Sequence, residues 1–284
     1  MALKLRQFDS PASFADAVML YLLAHEAEHC LMIGVLAQVL EDATHWNQPI
    51  TFVAVERDGV PVVVSMRTPP FNPIVSRAVE TEAIPLLVDL YMSQSDIGGL
   101  LAPVEVGQLF SHDWSQKSGC KTEIAMPERI YQILEVNPVS GVAGYLRRAT
   151  VDDRELLIEW NVAFVDESFK GRAVPGQAVR TVDSRLTGLQ SGFAIWEDNG
   201  PRCVVGWSGP TPNGIRIGPV YTPPEHRRHG YASAATAAVS QFLLDEGRRF
   251  CLLFTDLDNP TSNRIYQQIG YKPVADITEY RFMR

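Results

Sequence analysis

Apolar positions along this chain come in two rhythms, one alternating or short and continuous, the other spaced at helical intervals. Phe52-Val-Ala-Val55 and Val62-Val-Val64 are apolar runs separated by a turn containing Asp58-Gly59. Phe193-Ala-Ile-Trp196 and Cys203-Val-Val205 repeat the arrangement around Asn199-Gly200. Asp-Gly and Asn-Gly supply the positive φ angles that a two-residue hairpin needs, so each copy predicts strand, tight turn, strand. The two copies are 141 residues apart. Val62-Val-Val-Ser65 lies against Arg202-Cys-Val-Val205-Gly206, and Pro69-Pro-Phe-Asn72 against Pro210-Thr-Pro-Asn213. The same shift lays Leu5-Arg6 on Leu146-Arg147, each opening a short strand that leads into an apolar-periodic helix. Asp9 or Ser10 caps the first helix, and Thr150 or Asp152 the second.

Two related domains follow, 1–140 and 141–284, with the boundary at the Pro- and Gly-punctuated stretch from Pro138 to Gly144. Beyond the hairpins the copies part. The first continues with a helical stretch over about Val75 to Met92 and a strand near Gly99 to Val104. A short helix and a strand near Lys121 to Met126 come next. The second goes straight to a strand over Ile215 to Tyr221. The mixture of strands and helices places the chain in the α/β class, of the α+β type.

Composition narrows the function. The 284 residues are 46% hydrophobic, enough for two packed cores, and the net charge is −8. That charge, with no Lys/Arg run, argues against a nucleic-acid partner, although a few backbone N–H groups can still hold a small anion. Cys30, Cys120, Cys203 and Cys251 show no C-x-x-C spacing. They therefore read as buried thiols in a reducing compartment, with no metal site and no disulfide framework. Met1 to Ala17 has no basic-then-apolar leader pattern, and the longest apolar stretch, Cys30 to Leu40, is too short to span a bilayer. The expectation is a cytoplasmic protein with no membrane partner.

The chemistry concentrates in Val220-Tyr-Thr-Pro-Pro-Glu-His-Arg227-Arg228-His229-Gly230-Tyr231-Ala232-Ser233. A strand ends at Thr222, because Pro223 and Pro224 have no N–H to donate. A helix starts near Gly230 and runs to about Glu246, with Tyr231, Ala235, Ala238, Val239, Phe242 and Leu243 on its buried face. Gly230 and the small Ala232 let a ligand approach the backbone closely. The free N–H groups at the helix start favour an anion, and Arg227 and Arg228 add fixed positive charge.

The order of parts widens this into a family resemblance. Arg227-x-x-Gly230-x-Ala232 is followed by an amphipathic helix and a strand over Phe250 to Thr255. Asn259, Tyr266 seven positions later, Gly270-Tyr271 and a last strand complete the pattern. This resembles the GNAT superfamily of acyl-CoA-dependent N-acyltransferases, closely over about Ile215 to Val274 and in element order over 141–284. The resemblance implies tandem GNAT-like domains, each a mixed, largely antiparallel sheet flanked by helices. It implies acetyl-CoA as cofactor, bound along the backbone of Val220, Tyr221 and Thr222. The pyrophosphate would lie on the N–H groups of Arg228, His229, Gly230, Tyr231, Ala232 and Ser233, with Arg227 adding charge and Asn259 facing the cofactor. A neutral amine would attack the thioester directly, a backbone N–H of Val220 or Tyr221 would hold the oxyanion, and Tyr266 would protonate the departing thiolate. The general base is left unassigned. Relatives carry a carboxylate in the strand before the signature, where Arg216 stands here, and Asp166, Glu167, Glu197, His226 and His229 are weaker candidates.

The first copy has no such signature. After its strand comes Glu105-Val-Gly107, where the glycine is alone and the carboxylate repels phosphate. Adjacent His112 and Asp113 face different ways on a helix and do not form a catalytic pair. Residues 1–140 therefore read as a degenerate domain that shapes the acceptor cleft or buries a face of its partner. The acceptor is an amine on a small molecule or a protein. A non-catalytic acyl-CoA sensor stays as the alternative, and a homodimer is left open.

Overall fold

The computed structural model describes residues 2–42, 48–94, 96–169 and 176–283. The chain forms two compact units. One comprises Met1–Ile130, Thr255–Asn259 and Val274–Arg284, and the other Tyr131–Phe254 and Pro260–Pro273.

In the first unit β1 (Leu3–Gln7), α1 (Pro11–Leu23), α2 (Cys30–Glu41), β2 (Thr51–Arg57), β3 (Val60–Arg67) and β4 (Ile74–Val75) come first. They are followed by α3 (Ile84–Met92), β5 (Gly99–Pro103), α4 (Val104–Ser118) and the start of β6 (Lys121–Ile133). Ser10 caps α1 by accepting from the Ser13 N–H at 3.2 Å, and Pro11 fills the first helical turn. Alternation along β2 and β3 gives each face its own core. Phe52, Ala54, Val64 and Met66 pack with Phe14, Val18, Leu22 and Leu36. On the opposite face Val53, Val55 and Val63 pack with Leu87, Tyr91 and Phe110.

The second unit comprises β7 (Tyr145–Arg148), α5 (Arg154–Phe169), α6 (Gln177–Thr187), β8 (Gly192–Glu197), β9 (Pro201–Ser208) and β10 (Gly214–Tyr221). Then come α7 (Tyr231–Asp245), β11 (Phe250–Asp256) and α8 (Pro260–Ile269), and the chain ends in β12 (Lys272–Met283), most of which belongs to the first unit. Its strand order is β11-β10-β9-β8-β7. Ala194, Trp196, Cys203, Val205, Ile215 and Ile217 face α7 and pack on Ala235, Val239 and Leu243. Phe193, Ile195, Val204 and Tyr221 cover the other face with Leu157, Trp160 and Val182 from α5 and α6. Thr150 caps the second unit's first helical segment in a capping box with Asp153, and Arg147 ties that box to Glu197.

The repeat appears in the strand register. Leu5 pairs with Val55 and Leu146 with Trp196, both partners keeping the offset of the sequence repeat. The hairpins are not identical. Arg57 pairs with Val60 across Asp58 and Gly59, at φ of 54° and 81°, a two-residue turn as expected. Glu197 pairs with Pro201 across Asp198, Asn199 and Gly200, so the second connection has three residues. The span between Glu197 and Pro201 is one residue shorter than that between their counterparts Glu56 and Pro61, and the register slips by one beyond it.

A single cut at residue 140 does not describe the contacts. Residues Ile277–Arg281 of β12 run antiparallel to Pro103–Gly99 of β5, and that end of the chain is counted with the first unit. Gly107 on α4 packs against the Tyr280 ring, which a Cβ there would meet at 2.5 Å. The glycine of the first copy's strand-to-helix junction is therefore used for packing. His112 contacts Gln116 at 2.8 Å, while Asp113 pairs with Lys117 at 2.9 Å.

Candidate acyl-CoA site

The geometry starts from β10 and β11. They pair in parallel from Gly214–Arg216 against Phe250–Leu252, and the pairing stops there while β10 runs on to Tyr221. Beyond Arg216 the edge of β10 that faced β11 therefore carries backbone groups with no ladder partner on that side. A bulge between Ile217 and Val220, on the side paired with β9, marks the same place. Val220 and Tyr221 stay paired to β9 through Val205 and Val204. A ligand arm that pairs with main chain fits the open edge.

After Tyr221 the chain turns sharply. Thr222 places its Oγ1 in a buried position, where its hydroxyl acts on the Cys203 thiol. Pro223 and Pro224 lead into a single 3-10 turn, Pro224–His226. Arg228 then takes φ of +68° and Gly230 φ of +84°, two left-handed residues separated by one. For glycine this costs little, but for arginine it costs ~1 kcal/mol or more, which marks a conformation held for a reason. The first helical hydrogen bond of α7 is Ala234 N–H to the Gly230 carbonyl at 3.0 Å. The N–H groups of Tyr231, Ala232 and Ser233 thus have no partner within the helix. A Cβ on Gly230 would sit 2.9 Å from a methyl of Val142, so the position is closed to larger residues from beneath as well as by its φ. Successive N–H groups around alternating backbone handedness form an anion cradle at a helix start. The cradle fits a diphosphate.

The side chains divide the work differently from what spacing alone suggests. Arg227 does not project freely. Its Nε donates to the Thr222 carbonyl at 2.9 Å, and its Nη2 donates to both Glu167 carboxylate oxygens at 2.9 and 2.7 Å. Glu167 also accepts from the Tyr221 hydroxyl at 3.2 Å. Burial, then the nearby Glu167 charge, raises the Tyr221 phenol above its usual value. Glu167 and Arg227 hold the turn onto α5. Both are exposed, so the pair contributes ~1 kcal/mol at most. Arg228 is exposed beside the cradle its backbone helps to form. His229 stacks on Tyr231 at 5.5 Å, and the Tyr231 hydroxyl donates to Asp198 at 2.6 Å. Tyr231 therefore offers a ligand only its main chain.

Tyr266 lies on α8, half-buried against the α7 core, its ring 6.0 Å from that of Tyr271. Desolvation first, then the buried Cys203 thiol, pushes its phenol up to about 12. No hydrogen bond acts on its hydroxyl among the described residues. Asn259 is exposed just before α8, its N–H donating to the Asp256 carbonyl at 3.1 Å. Of the weaker base candidates, Glu197 is held by Arg147 at 2.9 Å and His226 contacts Arg202 at 3.1 Å. Asp166 is exposed on α5.

Linear spacing did not reveal Glu167 as the anchor of Arg227, because sixty residues separate them. Nor did it reveal Val142 beneath Gly230, or α6 with its Arg185. Among the described residues no helix is long and apolar enough to cross a membrane, and no cluster of His, Cys, Asp and Glu could hold a metal. All four cysteines are free, and three are buried.

Residues 198–282 match the model of the FR47-like protein family. No curated protein matches the chain. A Drosophila protein of known structure superposes with a TM-score of 0.69 at 12% identity, covering 99% of this chain and 98% of its own. A GCN5-related N-acetyltransferase from Sphaerobacter thermophilus gives 0.62 at 14% identity, covering 99% and 96%. A tandem GNAT protein from the clavulanic acid biosynthesis pathway, solved without acetyl-CoA, gives 0.56 at 12% identity, covering 99% and 98%. The class defined here is the tandem fold of the GCN5-related N-acetyltransferases, a mixed α/β architecture with largely antiparallel sheets. Within it, this chain carries its FR47-like segment in the C-terminal half, over the cradle, α7 and Tyr266.

Proposed function

We propose that the chain is an acetyl-CoA-dependent N-acetyltransferase acting on a primary amine, with its site in residues 141–284 and a cofactor-free GNAT-like domain in 1–140. The observation that carries this is the left-handed pair Arg228 and Gly230 at the start of α7, beside the edge that β10 leaves unpaired after Arg216. Acetyl-CoA, when bound, supplies an activated thioester. The N–H groups of Arg228 to Ser233 hold its diphosphate, and the Arg228 guanidinium adds charge. The open edge of Val220, Tyr221 and Thr222 takes the arm, and Asn259 faces the cofactor from the following loop. Arg227 acts through the turn it braces.

The Val220 or Tyr221 N–H holds the negative charge that develops on the carbonyl oxygen. Tyr266 stays protonated throughout the physiological range and donates to the sulfur as the C–S bond breaks. The proton lost by the attacking amine restores it, so that amine and thioester become amide and thiol. Four free thiols suit a reducing, cytoplasmic setting.

The test is a screen of thiol release from acetyl-CoA over amines, aminoglycosides and peptides. The transferase reading expects at least one acceptor to raise release well above hydrolysis. Arg216, in place of a strand carboxylate, is the observation that favours a non-catalytic acyl-CoA sensor. Tight coenzyme A binding with no turnover on any acceptor would select that reading.

A further inference from the structure

Arg185 is anomalous. It sits on α6 and reaches across to β10, where its Nη1 donates to the Gly218 carbonyl at 2.5 Å. The guanidinium lies 5.3 Å from the centre of the Phe193 ring. The same Nη1 lies so near Gly206 that a Cβ there would meet it at 2.6 Å. A second guanidinium, Arg216, stands two residues before Gly218 on the same strand. It lies 5.8 Å from the Phe254 ring, with one nitrogen 3.2 Å from where Gly209 would carry a Cβ. Ile215 and Ile217 point into the α7 core, so alternation turns Arg216 to the α6 face, the face of Arg185.

Such an arrangement opposes ordinary packing economics. An arginine in apolar surroundings is normally matched by a carboxylate. Among the described residues, the neighbouring charge that acts on Arg185 is another cation, Arg216. Burial first, and then that cation, lower Arg185 to about 9. The remaining N–H groups of Arg185 form a planar fork, which suits a carboxylate held by two parallel bonds. The two cations stand where β10 bulges, next to the edge assigned above to the cofactor arm.

We propose that Arg185 binds a carboxylate on the amine acceptor, so that the substrate class is amino acids or amines bearing a free carboxylate. This rests on the transferase reading for the word acceptor. The carboxylate site itself stands on Arg185. Arg185 is a positioning residue: it fixes the acceptor by its acid group and takes no proton in the reaction.

The test uses the full chain, Arg185→Met and Arg185→Lys. Calorimetry compares N-acetyl amino acids with their amides as probes, without coenzyme A. Thiol release from acetyl-CoA then compares α-, β- and γ-amino acids with their amides. We expect at least one acid to outperform its amide by about 10- to 100-fold, in Kd and in KM rather than kcat. Arg185→Met should abolish that difference and Arg185→Lys should restore part of it, while coenzyme A affinity stays level and certifies the fold. A panel in which no acid outperforms its amide overturns the proposal, as does a preference that survives Arg185→Met. Succinyl-CoA is compared with acetyl-CoA in parallel. A preference for it that vanishes in Arg185→Met would put the carboxylate on the acyl group and overturn the acceptor assignment. Failure of coenzyme A to bind the natural chain sinks the transferase reading, whereas failure of the carboxylate probes sinks this one.

Discussion

Arg228→Gly separates a residue strained for ligand binding from one that is simply tolerated. At φ of +68° an arginine carries ~1–2 kcal/mol of left-handed strain. Glycine removes that strain but gives the unfolded chain extra freedom worth ~0.4–1 kcal/mol. The folded state should therefore gain about 0.5–1 kcal/mol, or roughly 1–4 °C in Tm for a chain of this size. Cofactor affinity should move the other way. A charge-assisted bond to phosphate contributes ~1.5–3 kcal/mol, and the exposure of Arg228 cuts that to about 1–1.5 kcal/mol. The expected loss is about 5- to 10-fold in coenzyme A Kd, with a shallower salt dependence. Differential scanning calorimetry and isothermal titration on one preparation read both quantities. Arg228→Lys, which keeps charge and strain, should change stability little and affinity less. A glycine variant that is less stable and binds coenzyme A as tightly as the natural chain refutes the reasoning, because Arg228 would then support the fold and not the ligand.

Three further outcomes are expected. Tyr266→Phe removes only a hydroxyl, so Tm and coenzyme A affinity should hold while turnover falls by ~10²–10⁴-fold; full turnover would make Tyr266 a packing residue. With its phenol pushed up to about 12, no loss of activity from Tyr266 ionisation should show below pH 10, and a basic limb near pH 8 that disappears in the Phe variant would contradict that value. Cys203 and Cys251 are pushed from near 9 to about 12, mainly by burial. The folded state thus holds these protons more tightly than the unfolded chain, so their contribution is complete below pH 9 and is lost as pH rises from 9 towards 12. Urea midpoints should drop across that window, and Cys203→Ser should flatten the drop. Glu167→Gln should cost ~1 kcal/mol or less, because its partner Arg227 is exposed; a loss of several kcal/mol would show that the turn depends on it far more than surface pairing allows.

What could be read from the chain follows the range of the forces involved. Hairpins, caps and α7 were legible because their causes are local: Asp58-Gly59, Ser10 and the spacing of Tyr231, Ala235, Val239 and Leu243. The sequence repeat reappears in the structure, where β1 pairs with β2 and β7 with β8 at the same offset. The cradle was legible because a strand, a proline stop, a glycine and a helix lie within fifteen residues. The pairing of β12 with β5 was not, because nothing near either strand names a partner more than 170 residues away. The same holds for Glu167 with Arg227, Tyr231 with Asp198, and Arg185 with Gly218. In α7 the periodic face missed Thr236 and Ser240, which are buried although polar. Ser240 satisfies itself on the Thr236 carbonyl at 2.7 Å and the Tyr271 hydroxyl at 2.8 Å.

The central claim is that the turn into α7 binds the diphosphate of an acyl-CoA. Gly230→Glu tests it most directly. The position combines a φ of +84°, a Val142 methyl 2.9 Å from any Cβ, and the mouth of the cradle, where a carboxylate would repel phosphate. Isothermal titration with coenzyme A should give one site per natural chain, and no measurable heat of binding in a variant whose circular dichroism still shows the folded protein. Unchanged affinity in that folded variant, or a second site persisting in it, would place the cofactor elsewhere in the chain.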